Sequence, residues 1–162
     1  MSLVIRPYQA SDLEEMTAIW NAVVEKGDAF PQKDPLSLQE AASFFASQTH
    51  TGVAVDMGEV VGLYILHPNN VGRCGHIANA SYAVKETVRG RHIGEALVRH
   101  SMDEGRRHGF TLLQFNAVVA INAGAIHLYQ KIGFTQLGTI PRGFLMPDGH
   151  YEDIIPFVIS LV

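Results

Sequence analysis

The sequence predicts a mixed α/β fold, a sheet with helices on both of its faces. Apolar residues recur with a period near 3.6 in some segments and fill strand-length runs in others. Long runs of both kinds exclude all-α and all-β architectures. The 162 residues, 47% apolar and 17% charged, have globular composition and the length of a single domain, 1–162.

The elements follow in order. Leu3 to Arg6 is a short strand. Ser11 and Glu14 have capping-box spacing, and Leu13, Met16, Ile19, Trp20, Val23 and Val24 then mark one helix face, stopped by Gly27. Pro31 and Pro35 keep residues 28–35 from being helical throughout. Ser37 and Glu40 repeat the box before a second helix, with Leu38, Ala41, Ala42 and Phe45 inward. Val53 to Asp56, a turn at Met57-Gly58-Glu59, and Val60 to His67 make an antiparallel hairpin. After a loop, Ile77 to Val84 reads as a strand buried on both faces. Ile93 to His108 is a helix ended by Gly109, and Leu112 to Val119 is another buried strand. Asn122 caps a helix that runs to Ile132 and stops at Gly133. Phe134 to Ile140 and Tyr151 to Ile159 are closing strands.

Composition removes several functions. Lys and Arg number 12 against 16 Asp and Glu, a formal net charge of -4, too little positive potential for nucleic acid. A single cysteine, Cys74, makes neither an internal disulfide nor a thiolate zinc site, and a reducing cytoplasm is the expected location. The first residues read as the start of a strand, not as a signal peptide. No apolar run reaches the ~18 residues of a membrane span.

Chemistry concentrates in residues 82–97. A strand ends, a loop with Arg89, Gly90, Arg91 and His92 follows, and a helix opens at Ile93-Gly94-Glu95-Ala96. Unpaired N–H groups and the helix dipole favour a phosphate there; the same pattern also serves as a plain strand-to-helix turn. It is neither a P-loop nor a three-glycine dinucleotide turn.

The run Arg89-x-x-His92-x-Gly94 resembles the acyl-CoA loop of the GNAT (Gcn5-related) N-acetyltransferase superfamily, with His92 where that family usually has glycine. The segment from Asn122 through Leu128-Tyr129 to Gly133-Phe134 is similar to a second motif of the same family, and the likeness covers essentially the whole chain. It implies a mostly antiparallel mixed sheet, splayed between its fourth and fifth strands. Acetyl-CoA is the implied co-substrate. Ala83 and Val84 would hold the pantetheine arm, with the Val84 N–H polarising the thioester carbonyl. Backbone groups of Arg89, Gly90, Arg91, His92, Ile93, Gly94, Glu95 and Ala96 would hold the pyrophosphate. Asn122 would contact the pantetheine or the acetyl end. Tyr129 would protonate the departing thiolate; without the motif it reads as a core aromatic.

The acceptor side rests on polar residues in apolar strands. His76, Asn79 and Ser81 accompany one strand and Asn116 lies in the next, a costly arrangement unless they face a wet cleft or bond to backbone. Asn79 and Asn116 would flank the acceptor, and His76 would relay its proton or lie partly exposed. The pair, followed by Asn122, looks like the branch acting on proline analogues such as azetidine-2-carboxylate, or on phosphinothricin-type amino acids. In the family the segments holding Phe30 and Arg142 wall the acceptor site; ordinary loop packing is their other reading. No metal is expected: His92, His100 and His108 fall at eight-residue steps, wider than the i, i+4 pairs of helical metal sites. The expected function is acetyl-CoA-dependent N-acetyl transfer to a primary or secondary amine of a small molecule, by direct attack in a ternary complex. A protein or peptide N-acetyltransferase and a non-catalytic acyl-CoA sensor are the alternatives. No nucleic-acid or membrane partner is expected, and a homodimer is a family-level expectation.

Overall fold

A computed structural model describes residues 2–162; Met1 lies outside the described residues. The strands are β1 (Val4–Pro7), β2 (His50–Asp56), β3 (Glu59–Pro68), β4 (Ile77–Val84), β5 (Leu112–Val119), β6 (Thr135–Gln136), β7 (Ile140–Leu145) and β8 (Tyr151–Ser160). The helices are α1 (Leu13–Lys26), α2 (Leu38–Ala46), α3 (Ile93–Arg107) and α4 (Ala123–Ile132). The sheet runs β1-β2-β3-β4-β5-β8-β6, and β7 also pairs with β8. Every pairing is antiparallel except β4 with β5.

Two apolar layers sandwich this sheet. On one side Trp20, Phe45 and Met16 of α1 and α2 pack on Val53, Leu63 and Ile65. On the other, Leu97, Val98 and Met102 of α3 pack on Tyr64, Leu66 and Leu113. Strand alternation explains the division: Leu63 and Ile65 face α1, whereas Tyr64 and Leu66 face α3.

Local chemistry sets the boundaries. Ser37 and Glu40 form the predicted reciprocal box, with Glu40 N–H donating to Ser37 Oγ (3.1 Å) and Ser37 N–H to Glu40 Oε1 (2.9 Å). Gly27 and Gly133 close α1 and α4 in the left-handed conformation. The start of α1 departs from the Ser11–Glu14 expectation. A single 3-10 turn, Ala10–Asp12, precedes it. The buried Asp12 carboxylate accepts from the Gln9 N–H (2.8 Å) and from both ends of the Arg6 guanidinium (2.8 and 3.1 Å). A charge-assisted pair outcompetes a neutral hydroxyl cap.

Other expectations also change. Leu38 is exposed, and the half-buried Phe44 stacks against Trp20 instead, with centroids 5.2 Å apart. β4 is not buried on both faces throughout: Ala78, Ala80 and Ala83 are buried, but Asn79, Ser81 and Tyr82 are half-buried. The strand expected over Phe134 to Ile140 is only two residues long, Thr135–Gln136. Gly138, at φ 143°, bends the chain, which then re-enters the sheet as β7.

Candidate active site

The parallel pair is short. β4 meets β5 only at Ile77–Leu112 and Ala78–Leu113, and beyond that the strands diverge. Two features enforce the opening. β5 leaves its register with β8 between Phe115 and Val118, which bends it away, and Asn116 is exposed on that irregular stretch. The polar residues of β4 face the resulting gap instead of a second layer of core.

The gap broadens into a cleft of about 810 Å³, lined by Asn79, Ser81, Phe115, Asn116, Asn122 and Tyr129, and also by Phe30, His67 and Arg89. Backbone groups line it as well. The Lys85 N–H donates to Val61 and the Ile77 carbonyl accepts from Asn69, so odd-numbered β4 residues spend their backbone groups on the β3 side. By alternation the N–H groups of Tyr82 and Val84 point into the gap, the direction expected for Val84. Ala83 is buried beside it, packed with the α1–α2 layer.

Tyr129 stands on α4 with its ring 4.6 Å from Phe115, 5.5 Å from Phe134 and 5.7 Å from Phe157. Its hydroxyl takes no hydrogen-bond partner among the described residues. Burial pushes the phenol well above its usual value, so Tyr129 is a neutral proton donor near pH 7.

The asparagines are connected. Asn69, on the loop after β3, accepts from Asn116 Nδ2 (2.7 Å) and from Asn79 Nδ2 (3.2 Å). Its own N–H donates to the Ile77 carbonyl at 2.7 Å. One amide thus bridges the two diverging strands where they part. Asn122 caps nothing with its side chain; Nδ2 donates 2.9 Å to the Asp28 carbonyl and ties the start of α4 to the loop after α1.

The loop expected to hold phosphate has a backbone that turns sharply into α3. Gly90 (φ 87°) and His92 (φ 60°) both take positive φ, so histidine adopts here the conformation glycine would supply. α3 begins at Ile93, which is buried, and the first N–H groups at Ile93, Gly94 and Glu95 open toward the loop. The Ala96 N–H donates to the His92 carbonyl at 3.2 Å. Arg89 sits 3.4 Å from Glu86, and Arg91 3.8 Å from Asp56, both largely exposed and free to reorient toward an anion. Lys131 and Arg99 hold the Glu95 carboxyl below its usual range, and the 2.8 Å Lys131 contact links α3 to α4.

Three expected site residues lie elsewhere or do other work. His76 is exposed in the turn before β4 and is not part of the cleft wall; only its carbonyl is engaged, by Thr111 and Leu112. Arg142 is on the β7–β8 hairpin at φ 57°, its guanidinium 5.0 Å above the Tyr151 ring, outside the cleft wall. Phe30 does line the cleft, but it is mainly a core ring stacked 4.4 Å from Trp20.

Two residues escaped the sequence reading: His67, which lines the cleft, and Asn69, which holds two of its lining residues. His67 ends the hairpin strand directly opposite Asn79. Its Nδ1 lies 3.0 Å from the Pro68 carbonyl, which as N–H donor leaves Nε2 to accept. The signal was the β3–β4 register, which pairs the only strand-end histidine of β3 with the odd asparagine of β4.

Known proteins bear on this geometry. An L-methionine sulfoximine/L-methionine sulfone acetyltransferase of Pseudomonas aeruginosa is 28% identical over 150 residues, covering 88% of this chain and 86% of that protein. A GCN5-related N-acetyltransferase from Kribbella flavida is 33% identical and superposes with a TM-score of 0.90 over 98% of each chain. A GNAT superfamily phosphinothricin acetyltransferase from Sinorhizobium meliloti, solved with acetyl-CoA, shares the fold at 23% identity, with a TM-score of 0.90 over 99% of this chain and 89% of its own. Residues 13–134 match the family described as Acetyltransferase (GNAT) family. A sheet parted between β4 and β5, a positive-φ loop opening α3 and a tyrosine facing the gap from α4 agree with that match, and the chain belongs to the GNAT acetyltransferase family.

Proposed function

We propose that this acetyltransferase moves the acetyl group of acetyl-CoA onto the amine of a small amino acid or amino-acid analogue, by direct attack in a ternary complex. The observation that carries the reading is the cleft itself. One end holds a phosphate-ready loop and a neutral tyrosine; the other holds two asparagines, linked through Asn69 behind them, and a histidine. The S. meliloti enzyme was solved with acetyl-CoA, and the P. aeruginosa relative is named for amino-acid analogues.

The steps assign as follows. The first turn of α3 and Arg89 bind the pyrophosphate. The Val84 N–H donates to the thioester carbonyl oxygen, where negative charge develops. The free amine attacks the carbonyl carbon, the carbon–sulfur bond breaks, and Tyr129 gives its proton to the leaving sulfur. The proton lost by the amine passes to His67 Nε2, directly or through a water held by Asn79. Asn79 and Asn116 orient the acceptor carboxylate by amide donors that exchange Asn69 for substrate. His67 takes the role first expected of His76.

The test is thiol release from acetyl-CoA across an amine panel: proline analogues, methionine sulfoximine, phosphinothricin, polyamines and lysine-containing peptides. Turnover confined to small amino acids is the expected result. Turnover confined to peptides would transfer the activity to protein acceptors. Acetyl-CoA binding with silence across the panel would contradict the acceptor assignment.

A further inference from the structure

A second cluster of donor groups lies outside the cleft, on the α3 side of the sheet. His50 opens β2 opposite Leu66, and therefore faces α3. Glu104 and His108 stand one turn apart on the last part of α3 and at its end, sharing a helix face. One ligand atom from each residue lies within 4.8 Å of the others. Glu104 Oε2 is 3.8 Å from His50 Nδ1 and 3.7 Å from His108 Nε2.

These separations are informative. They exceed hydrogen-bond length, although Glu104 Oε1 closes to 2.8 Å on Arg107. Ligands of tetrahedral zinc stand roughly 3.3 Å apart, given metal–ligand bonds of about 2.0–2.1 Å. Small side-chain rotations would bring the three atoms onto one ion. His50 is nearly buried; its Nδ1 faces Glu104 beyond hydrogen-bond reach, and its other nitrogen, Nε2, has no hydrogen-bond partner among the described residues.

We propose that His50, Glu104 and His108 bind a divalent transition-metal ion, zinc by their donor set, with solvent completing the coordination. Two neutral imidazoles and one carboxylate are a borderline-soft set that suits zinc better than calcium or magnesium. Arg107 holds the second carboxylate oxygen and leaves Oε2 toward the two histidines, the part an outer-shell partner plays. Its positive charge opposes a cation only weakly, because its side chain is 73% exposed and screened by water. His108, 38% exposed, leaves a path for the ion. The neighbouring ring is fixed too: Tyr64 OH bonds His100 Nδ1 at 2.8 Å, and its ring occupies the space a Cβ on Gly52 would need, 2.5 Å from Tyr64 Cε1. The ion would pin the start of β2 to the end of α3. It takes no part in acetyl transfer, since none of the three residues lines the cleft.

The experiment uses the tag-free full chain, stripped with a chelator and titrated with zinc chloride by calorimetry, then with cobalt(II) to read visible d–d bands. One equivalent should bind, raise the unfolding temperature and give a four-coordinate cobalt spectrum. His108→Gln, at a half-exposed position that can be changed without opening the core, should weaken zinc at least about tenfold and abolish the bands. Glu104→Gln should do the same, while the exposed His127→Gln on α4 binds as the parent does. Absence of saturable zinc binding, or equal binding by the His108→Gln and parent chains, would overturn the site.

Discussion

His67 and His76 show how placement decides chemistry. Both are histidines next to β4, and only the fold tells them apart. His67 lies across from Asn79 inside the cleft, whereas His76 precedes the strand and is exposed. Replacing His67 with Gln should lower kcat by ~10²-fold, the effect of losing a positioned base. His76→Gln should leave kcat as it is; steady-state rates of thiol release distinguish the two. Tyr129 and the residues of the Arg89–Gly94 loop were legible as local motifs. Asn69 was not, because its importance arises only when it bridges Asn79 and Asn116 from a loop. Arg142 was misplaced because nothing local distinguishes a cleft wall from a hairpin flank.

Among the elements, those with a complete local code came out as read. The Ser37–Glu40 box, the hairpin at Met57–Glu59 and the glycine stops all specify their backbone without help from distant residues. The entry to α1 did not, since Asp12 answers to Arg6 on β1. That pair makes a pH prediction. The Arg6 hydrogen bonds hold the Asp12 carboxyl below its usual range, with the Gln9 N–H assisting. The folded state therefore binds its proton less readily than the unfolded chain, whose carboxyl titrates near ~3.9. The stabilisation is complete above that value and is lost as pH falls through the lower folded-state value. Urea midpoints measured from pH 6 down to pH 2.5 should fall less steeply for Asp12→Asn than for the parent; parallel curves would contradict the coupling. The closing strands were only partly legible. Gly138 breaks the run after two paired residues, and the pairing of β7 with β8 depends on tertiary register.

For the molecule as a whole, alternating periods carried the fold class and the α/β order. The place where the sheet parts was implied only by the resemblance to the GNAT family. The cleft contents required the register of three strands at once, which no single segment encodes. The account makes one claim that joins every scale: β4 and β5 part so that a thioester carbonyl meets the Val84 N–H while its sulfur meets the Tyr129 hydroxyl. The most direct measurement is a paired one on Tyr129→Phe, acetyl-CoA binding by calorimetry and kcat by thiol release with the best small amino-acid acceptor. The account predicts binding within about twofold of the parent and kcat lower by ~10²-fold, since the ring packing is kept and only the proton donor is lost. Unchanged kcat would contradict it.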